Sequence, residues 1–271
     1  MLIFDSGVGG LSVYEQILKL NPSNKYCYLF DNAYFPYGEL PHSVLVQRLT
    51  QLLSDFMQKY PADLIVIACN TASTVALDNL RQHFTIPIVG VVPAIKPASC
   101  STINNVIGLL ATPATVNRTY TNRLIEQFAV GKKVLRIGST KLVKLAEDKL
   151  MGKQLDQTDF EAILAPWLVG NENAREGYPD TVVLGCTHFP LLKDEITACF
   201  TKPIQLVDSG EAIALRVQKL LENEDVVDDI ELKTLEGGRA FYTKALTNSE
   251  HLSALSNSFA GYGFERLNFW A

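Results

Sequence analysis

The sequence predicts an α/β protein of two pseudo-symmetric lobes, each a mostly parallel sheet flanked by helices, with the active site in the cleft between them. Three observations carry this. Short continuous apolar runs alternate with stretches of helical periodicity through most of the chain, the pattern of strands buried on both faces and joined by covering helices. Two stretches echo one another: Leu64 to Val75, LIVIACNTASTV, and Thr181 to Leu192, TVVLGCTHFPLL. Each runs from apolar residues through Ala or Gly into a cysteine and then opens a helix. The strand end Asp5-Ser6-Gly7 also recurs, as Asp208-Ser209-Gly210. Open α/β sheets bind ligands beyond the carboxyl ends of their strands, so both cysteines are expected to face one cleft.

Leu2 to Phe4 is a short apolar strand, Asp5 to Gly10 a turn, and Leu11 to Leu20 a helix. The glycines of the turn permit close approach of backbone N–H groups to an anion at the helix start. As a dinucleotide fingerprint GVGGLS fails, with Ser12 at the third glycine position, and it lacks the Gly-Lys-Ser/Thr ending of a P-loop. Tyr26 to Asp31 is the second strand. Asn32 to Pro41, NAYFPYGELP, is a loop held by two prolines and a glycine, and its Pro36-Tyr37-Gly38 is either a ligand contact or a turn with a packed tyrosine. His42 to Tyr60 carries Leu45, Leu49, Leu52, Phe56 and Tyr60 at helical spacing. After the Cys69 strand come a helix from Thr71 to His83 and a strand from Ile86 to Val92, ended by Pro93.

A second series follows: strand Val106 to Ala111, helix Ala114 to Phe128, strand Lys133 to Ile137, helices Ser139 to Leu150 and Asp156 to Val169, and strand Thr181 to Leu184. Ile204 to Val207 leads through Asp208 into a helix ending near Leu221. The acidic stretch Glu222 to Asp229 is expected to be a solvated connection. The tail reads as strand Ala240 to Tyr242, helix Ser249 to Phe259 and strand Phe264 to Phe269. It is too small to stand alone and is expected to return to the first lobe. Lobe one therefore takes residues 1–94 and 208–271, and lobe two residues 95–207.

With 271 residues, 47% hydrophobic and 20% charged, the chain can bury a large core. No span reaches the ~18 consecutive apolar residues of a membrane helix, and the N-terminus opens in a strand pattern without a basic region or cleavage site. The expected compartment is the cytoplasm, with no membrane partner. A formal charge of −5 and the lack of basic runs interleaved with aromatics argue against a nucleic-acid partner. The cysteines, Cys27, Cys69, Cys100, Cys186 and Cys199, are odd in number and form no Cys-x-x-Cys pair, which fits reduced thiols.

A single cysteine at a strand end is usually a packing residue; two in matched frames point to chemistry. Both precede helix starts, where the thiolate is favoured and a thiol can serve as acid or base. Thr187 as N-cap and Pro190 in the first turn mark the start after Cys186. Asp5 either reaches Cys69 or caps its own turn, and His188 is either a proton partner of Cys186 or a helix-cap or core residue. Glu147 follows Val143 by four and precedes Leu150 by three, which sets it beside the apolar stripe of its helix. There its carboxylate either orients His188 or forms a solvated pair with Lys144.

FDSGVGGLSVY, PYG, ACNTAST, GVVPAIKPA, LLAT..T and VVLGCTHFPLL together resemble the glutamate racemases of the aspartate/glutamate racemase superfamily, from Leu2 to about Leu221. The resemblance implies interconversion of L- and D-glutamate with no cofactor and no metal, supplying D-glutamate for peptidoglycan. It implies that Cys69 takes the α-proton from D-glutamate and Cys186 from L-glutamate, assisted by Asp5, His188 and Glu147, the last on the weaker local match VKLAEDK. Ser6, Asn70, Thr71 and Thr187 are placed around the α-amino and α-carboxylate groups, and Pro36, Tyr37, Gly38 and Thr115 toward the side-chain carboxylate, with Thr112 in the same loop. Oligomeric state is left open, a homodimer included. The rival readings are an aspartate or broader-specificity racemase, against which PYG argues, a thiol hydrolase with one nucleophilic cysteine, and a glutamate-binding protein without catalysis. Zinc on Cys186 and His188 lacks a second ligand pair at finger-like spacing.

Overall fold

The computed structural model describes residues 1–168, 177–223 and 238–270. The first part of the chain forms β1 (Leu2–Asp5), α1 (Leu11–Leu20), β2 (Cys27–Phe30), α2 (His42–Lys59), β3 (Ile65–Ile67), α3 (Asn70–His83) and β4 (Ile88–Gly90). Next come α4 (Ile95–Ser101), β5 (Val106–Ala111), α5 (Pro113–Val116), α6 (Thr119–Phe128), β6 (Lys133–Gly138), α7 (Lys141–Leu150) and α8 (Gln157–Leu164). The rest is β7 (Thr181–Leu184), α9 (Lys193–Ala198), β8 (Gln205–Val207), α10 (Gly210–Asn223), β9 (Gly238–Tyr242), α11 (Ser249–Gly261) and β10 (Phe264–Phe269).

These strands make two sheets, one six-stranded in the order β10-β9-β2-β1-β3-β4 and one four-stranded in the order β6-β5-β7-β8. Every pairing in both is parallel. The α/β architecture is therefore as the apolar runs predict, and the tail strands join the sheet at β2. Alternation along each strand divides its side chains between two cores. In the six-stranded sheet Ile3, Tyr28 and Val66 pack with residues of α1 and α10, while Leu2, Phe4, Leu29, Ile65 and Ile67 pack with residues of α2 and α3. The four-stranded sheet turns Leu110, Val182 and Leu184 to one core and Ile107, Leu109 and Val183 to the other. Each such side chain contributes roughly 1.5–3 kcal/mol of transfer free energy, which is why continuous apolar runs, and not amphipathic ones, make these strands.

Register sets the site. Phe4 lies opposite Ile67, so the residues that leave β1 and β3, Ser6 and Cys69, emerge side by side. Leu110 lies opposite Leu184, which brings the loop after β5, with Thr112, beside Cys186.

Several predicted elements differ in detail. α4 was not anticipated; Pro97 falls in its first turn, where the missing N–H has no intrahelical partner to lose. The helix expected over 114–128 is two: Thr112 caps α5 by accepting the Thr115 N–H, Pro113 opens it, and extended Arg118 separates it from α6. The helix expected over 156–169 begins with the Asp156 cap and passes at Ala165 into a 3-10 turn containing Pro166. The segment after Cys186 starts as a 3-10 turn, Phe189–Leu192, with His188 at the cap position and no side-chain cap; Thr187 is not its N-cap. Most of the acidic stretch 222–229 lies outside the described residues. Among the described residues no helix is long and apolar enough to cross a membrane.

Candidate active site

β3 delivers Cys69 in extended conformation (φ −139°, ψ 118°) as the N-cap of α3, where its thiol accepts the Ala72 N–H at 3.5 Å. Ser6 Oγ is 3.6 Å from the same sulfur. Asp5 stands behind Ser6 and is fully buried. Its two carboxylate oxygens accept the backbone N–H groups of Ser6 and Gly10, each at 2.7 Å, and the Ser6 hydroxyl lies 3.4 Å from Oδ1. Asp5 thus caps its turn, and Ser6 stands between it and Cys69.

β7 delivers Cys186, whose Sγ is 3.8 Å from His188 Nδ1. The other ring nitrogen, Nε2, is 2.8 Å from Glu147 Oε1, and that oxygen accepts the Val8 N–H at 3.2 Å. Glu147 therefore turns to His188 and to the backbone of the β1–α1 turn. The ring is packed as closely as it is bonded: a Cβ added at Gly9 would stand 2.3 Å from His188 Nδ1. Ser12 also binds across the two sheets, its hydroxyl donating to the Thr187 carbonyl at 2.7 Å.

Both thiols line one cavity of about 120 Å³. Around it stand Ser6, Pro36, Tyr37, Gly38, Asn70, Thr71, Thr112, Thr115, Thr187 and His188. Of the residues singled out in the sequence, Asp5 and Glu147 do not reach this cavity and lie one layer behind Ser6 and His188. Glu147 instead lines a larger cavity of about 770 Å³ between α7 and α11. Asn70 is buried, and its side-chain amide donor has no partner among the described residues. Nor do three or more His, Cys, Asp or Glu side chains among them converge as a metal site requires.

The profile of Asp/Glu/Hydantoin racemase matches residues 9–217. The chain belongs to the Asp/Glu/hydantoin racemase family. It is thereby an isomerase of the racemase class. It is similar to the glutamate racemase of Aliivibrio fischeri, with 50% identity over 99% of this chain and 94% of that protein. The glutamate racemase of Photorhabdus laumondii is 47% identical over 98% of this chain and 89% of that protein. The crystal structure of Escherichia coli glutamate racemase in complex with L-glutamate and the activator UDP-MurNAc-Ala superposes with a TM-score of 0.90 at 45% identity, covering 100% of this chain and 97% of that one.

In this racemase the two thiols have unlike surroundings. Burial, and then the nearby Asp5, push the Cys69 pKa up, against the N–H of Ala72 and the Ser6 hydroxyl. Burial raises Asp5 itself to about 6, against the pull of His188 and the N–H groups of Gly10 and Ser6. For His188, burial works against the charged ring, but the bonds to Cys186 and Glu147 outweigh it and hold the imidazole well above the ordinary histidine value. The cavity also has walls that the sequence reading passed over: Phe35, Glu39, Pro113, Thr140 and Val143. Phe35 tilts against the His188 ring, 5.9 Å between centroids. Thr140, Val143 and Glu147 stand at i, i+3 and i+7 on one face, a spacing from which the first two could have been read.

Proposed function

We propose that this protein interconverts L- and D-glutamate by carrying the α-hydrogen through two cysteines, with no cofactor. One observation carries the reading: thiols from the strand ends of two different sheets line one small cavity, each with its own polar partner. Racemisation removes a weakly acidic proton from one face of Cα and delivers another to the opposite face, which needs a base and an acid on opposite walls. In the L-to-D direction Cys186 is the base, its own proton taken by His188 and the imidazolium held by Glu147. Cys69, kept protonated by burial and backed by Ser6 and Asp5, is the acid. In the reverse direction the Asp5 carboxylate takes the Cys69 proton through Ser6, Cys69 then removes the α-proton, and protonated Cys186 is the acid.

Charge that moves onto the α-carboxylate is met by Ser6, Asn70, Thr71 and Thr187, the unpartnered amide donor of Asn70 among them. The side-chain carboxylate lies toward Pro36, Tyr37, Gly38 and Thr115, with Thr112 alongside. Lobes of residues 1–94 with 208–271 and of 95–207 close on the substrate, and the exclusion of water strengthens each of these contacts. L-Glutamate in the complex of the E. coli relative supports this substrate over aspartate. D-Glutamate made in the cytoplasm supplies peptidoglycan synthesis. Dialysed protein is expected to bring the circular-dichroism signals of L- and D-glutamate toward zero with no addition. Faster turnover of L-aspartate moves the substrate to the rival reading, and an absolute requirement for pyridoxal phosphate overturns the mechanism.

A further inference from the structure

Asp31 follows β2, takes no part in the proton transfers, and is fully buried. Four donors converge on its carboxylate. Arg48 binds it bidentately through Nε and Nη2 at 2.9 and 2.8 Å, the Tyr37 hydroxyl donates at 2.8 Å, and the Thr243 hydroxyl at 2.5 Å. A buried ion pair is a weak source of stability, because desolvation offsets its attraction. What such a cluster does well is hold neighbouring groups in one arrangement. Here the group held is Tyr37, one wall of the cavity.

The loop is tied to this cluster at two places. Tyr34 donates its N–H to the Asp31 carbonyl at 3.2 Å and covers the Arg48 guanidinium, 4.6 Å from ring centroid to carbon. Three residues on, Tyr37 is nearly fully buried, with its ring against Phe4 and its hydroxyl on Asp31. Burial and the adjacent carboxylate hold that hydroxyl well above the ordinary tyrosine pKa, so it remains a donor. Thr243 brings in the far end of the chain, and Asn32 fastens it by accepting the N–H groups of Thr243 and Lys244 at 2.9 and 2.7 Å.

We propose that the Asp31–Arg48–Thr243 cluster is a positioning device that sets the distance of the Tyr37 wall from the two thiols, and through it the length of dicarboxylic amino acid the site accepts. The inference rests on the glutamate reading above. None of the three residues lines the cavity, and none bonds a thiol, Ser6 or His188 through its side chain among the described residues. Loosening the cluster therefore moves the wall while leaving the acid and base in place.

The test compares wild type with Thr243→Val, which removes the hydroxyl at constant shape, and Thr243→Ser, which restores it. Arg48→Lys is the second route, keeping the charge while giving up the bidentate fork that fixes the Asp31 carboxylate. KM for L-glutamate is expected to rise about tenfold in Thr243→Val and Arg48→Lys, the equivalent of about 1.4 kcal/mol, with kcat lowered less than about threefold. The ratio of kcat/KM for L-glutamate to that for L-aspartate falls in parallel, and Thr243→Ser recovers both. A lower melting temperature with KM and the ratio unchanged would overturn the proposal. Calorimetric Kd values for D-glutamate separate this from the reaction itself. If wild type binds glutamate without racemising it, a raised Kd in the variants upholds the wall and sinks only the reaction, and an unchanged Kd sinks the wall.

Discussion

Gly9→Ala places a methyl group where His188 already is. The new Cβ would stand 2.3 Å from Nδ1, 2.6 Å from Cγ and 2.7 Å from Cε1, all well inside ordinary contact, so the ring must retreat by about 1 Å. It cannot do so freely. His188 is 2% exposed and is fixed by Glu147 at 2.8 Å, Cys186 at 3.8 Å and the face of Phe35. Overpacking of this kind costs about 1–3 kcal/mol, a fall in melting temperature of roughly 2–5 °C for a chain of this size. A misplacement of about 1 Å in a proton-transfer group costs on the order of 100-fold in rate. Turnover followed by circular dichroism from each enantiomer should show the larger loss of kcat with L-glutamate, for which the proposed mechanism makes Cys186 the base. The equilibrium constant still ties the two kcat/KM values together. Gly261→Ala is the control, since a Cβ there meets nothing within 4 Å. Wild-type kcat in Gly9→Ala, with or without a lowered melting temperature, refutes the role given to the ring.

Cys69→Ser and Cys186→Ser should each lower racemisation by about 10²–10⁴-fold, because a hydroxyl is a poorer acid and its anion is hard to form; near-normal turnover in either returns that cysteine to packing. In D₂O at early conversion, solvent deuterium should appear at Cα of the newly formed enantiomer while unreacted substrate stays protiated, as mass spectrometry of the separated enantiomers will read. Deuterium in unreacted substrate instead indicates a single base. Folded Asp5 keeps its proton up to about pH 6, against 3.8 without the burial, so between these values the folded chain binds more protons and stability falls as pH rises. This contribution is complete below about pH 4 and is lost above about pH 6. Urea unfolding of wild type and Asp5→Asn should therefore show the wild type losing about 3 kcal/mol relative to the variant across that interval, and a difference independent of pH contradicts the buried, proton-retaining Asp5.

The strands and the two thiols were legible because both depend on local sequence: LIVI before Ala-Cys and TVVL before Gly-Cys, each followed by a helix start, mark buried strand ends. Glu147 was half legible. Helical spacing set it beside the apolar stripe, but its partner is 41 positions away on another element, and only folding decides between His188 and Lys144. The helix breaks at Arg118 and Pro166 are not legible in helical periodicity, because the Thr112 cap and a proline near a helix end are local features that leave the apolar spacing unchanged. Asp31 is not legible for a different reason. Its partners Tyr37, Arg48 and Thr243 lie 6, 17 and 212 positions away, and an aspartate at the end of a strand carries no mark of what will converge on it.

The order of strands across the six-stranded sheet also imposes an order in time. Every strand of the four-stranded sheet lies within residues 106–207 and leaves the ribosome before β9 exists, whereas β2 waits for a partner more than 200 residues downstream. At synthesis rates of about 5–20 residues per second that wait is roughly 10–40 s. Through all of it β2 presents an open strand edge, the kind of surface on which chains pair wrongly. A chain that ends early already carries Cys69, Cys186, His188 and Glu147, yet it lacks both the strand that closes this edge and the threonine that completes the Asp31 cluster. Closure of this sheet edge and completion of the Asp31 cluster therefore fall to the same short stretch, residues 239–243.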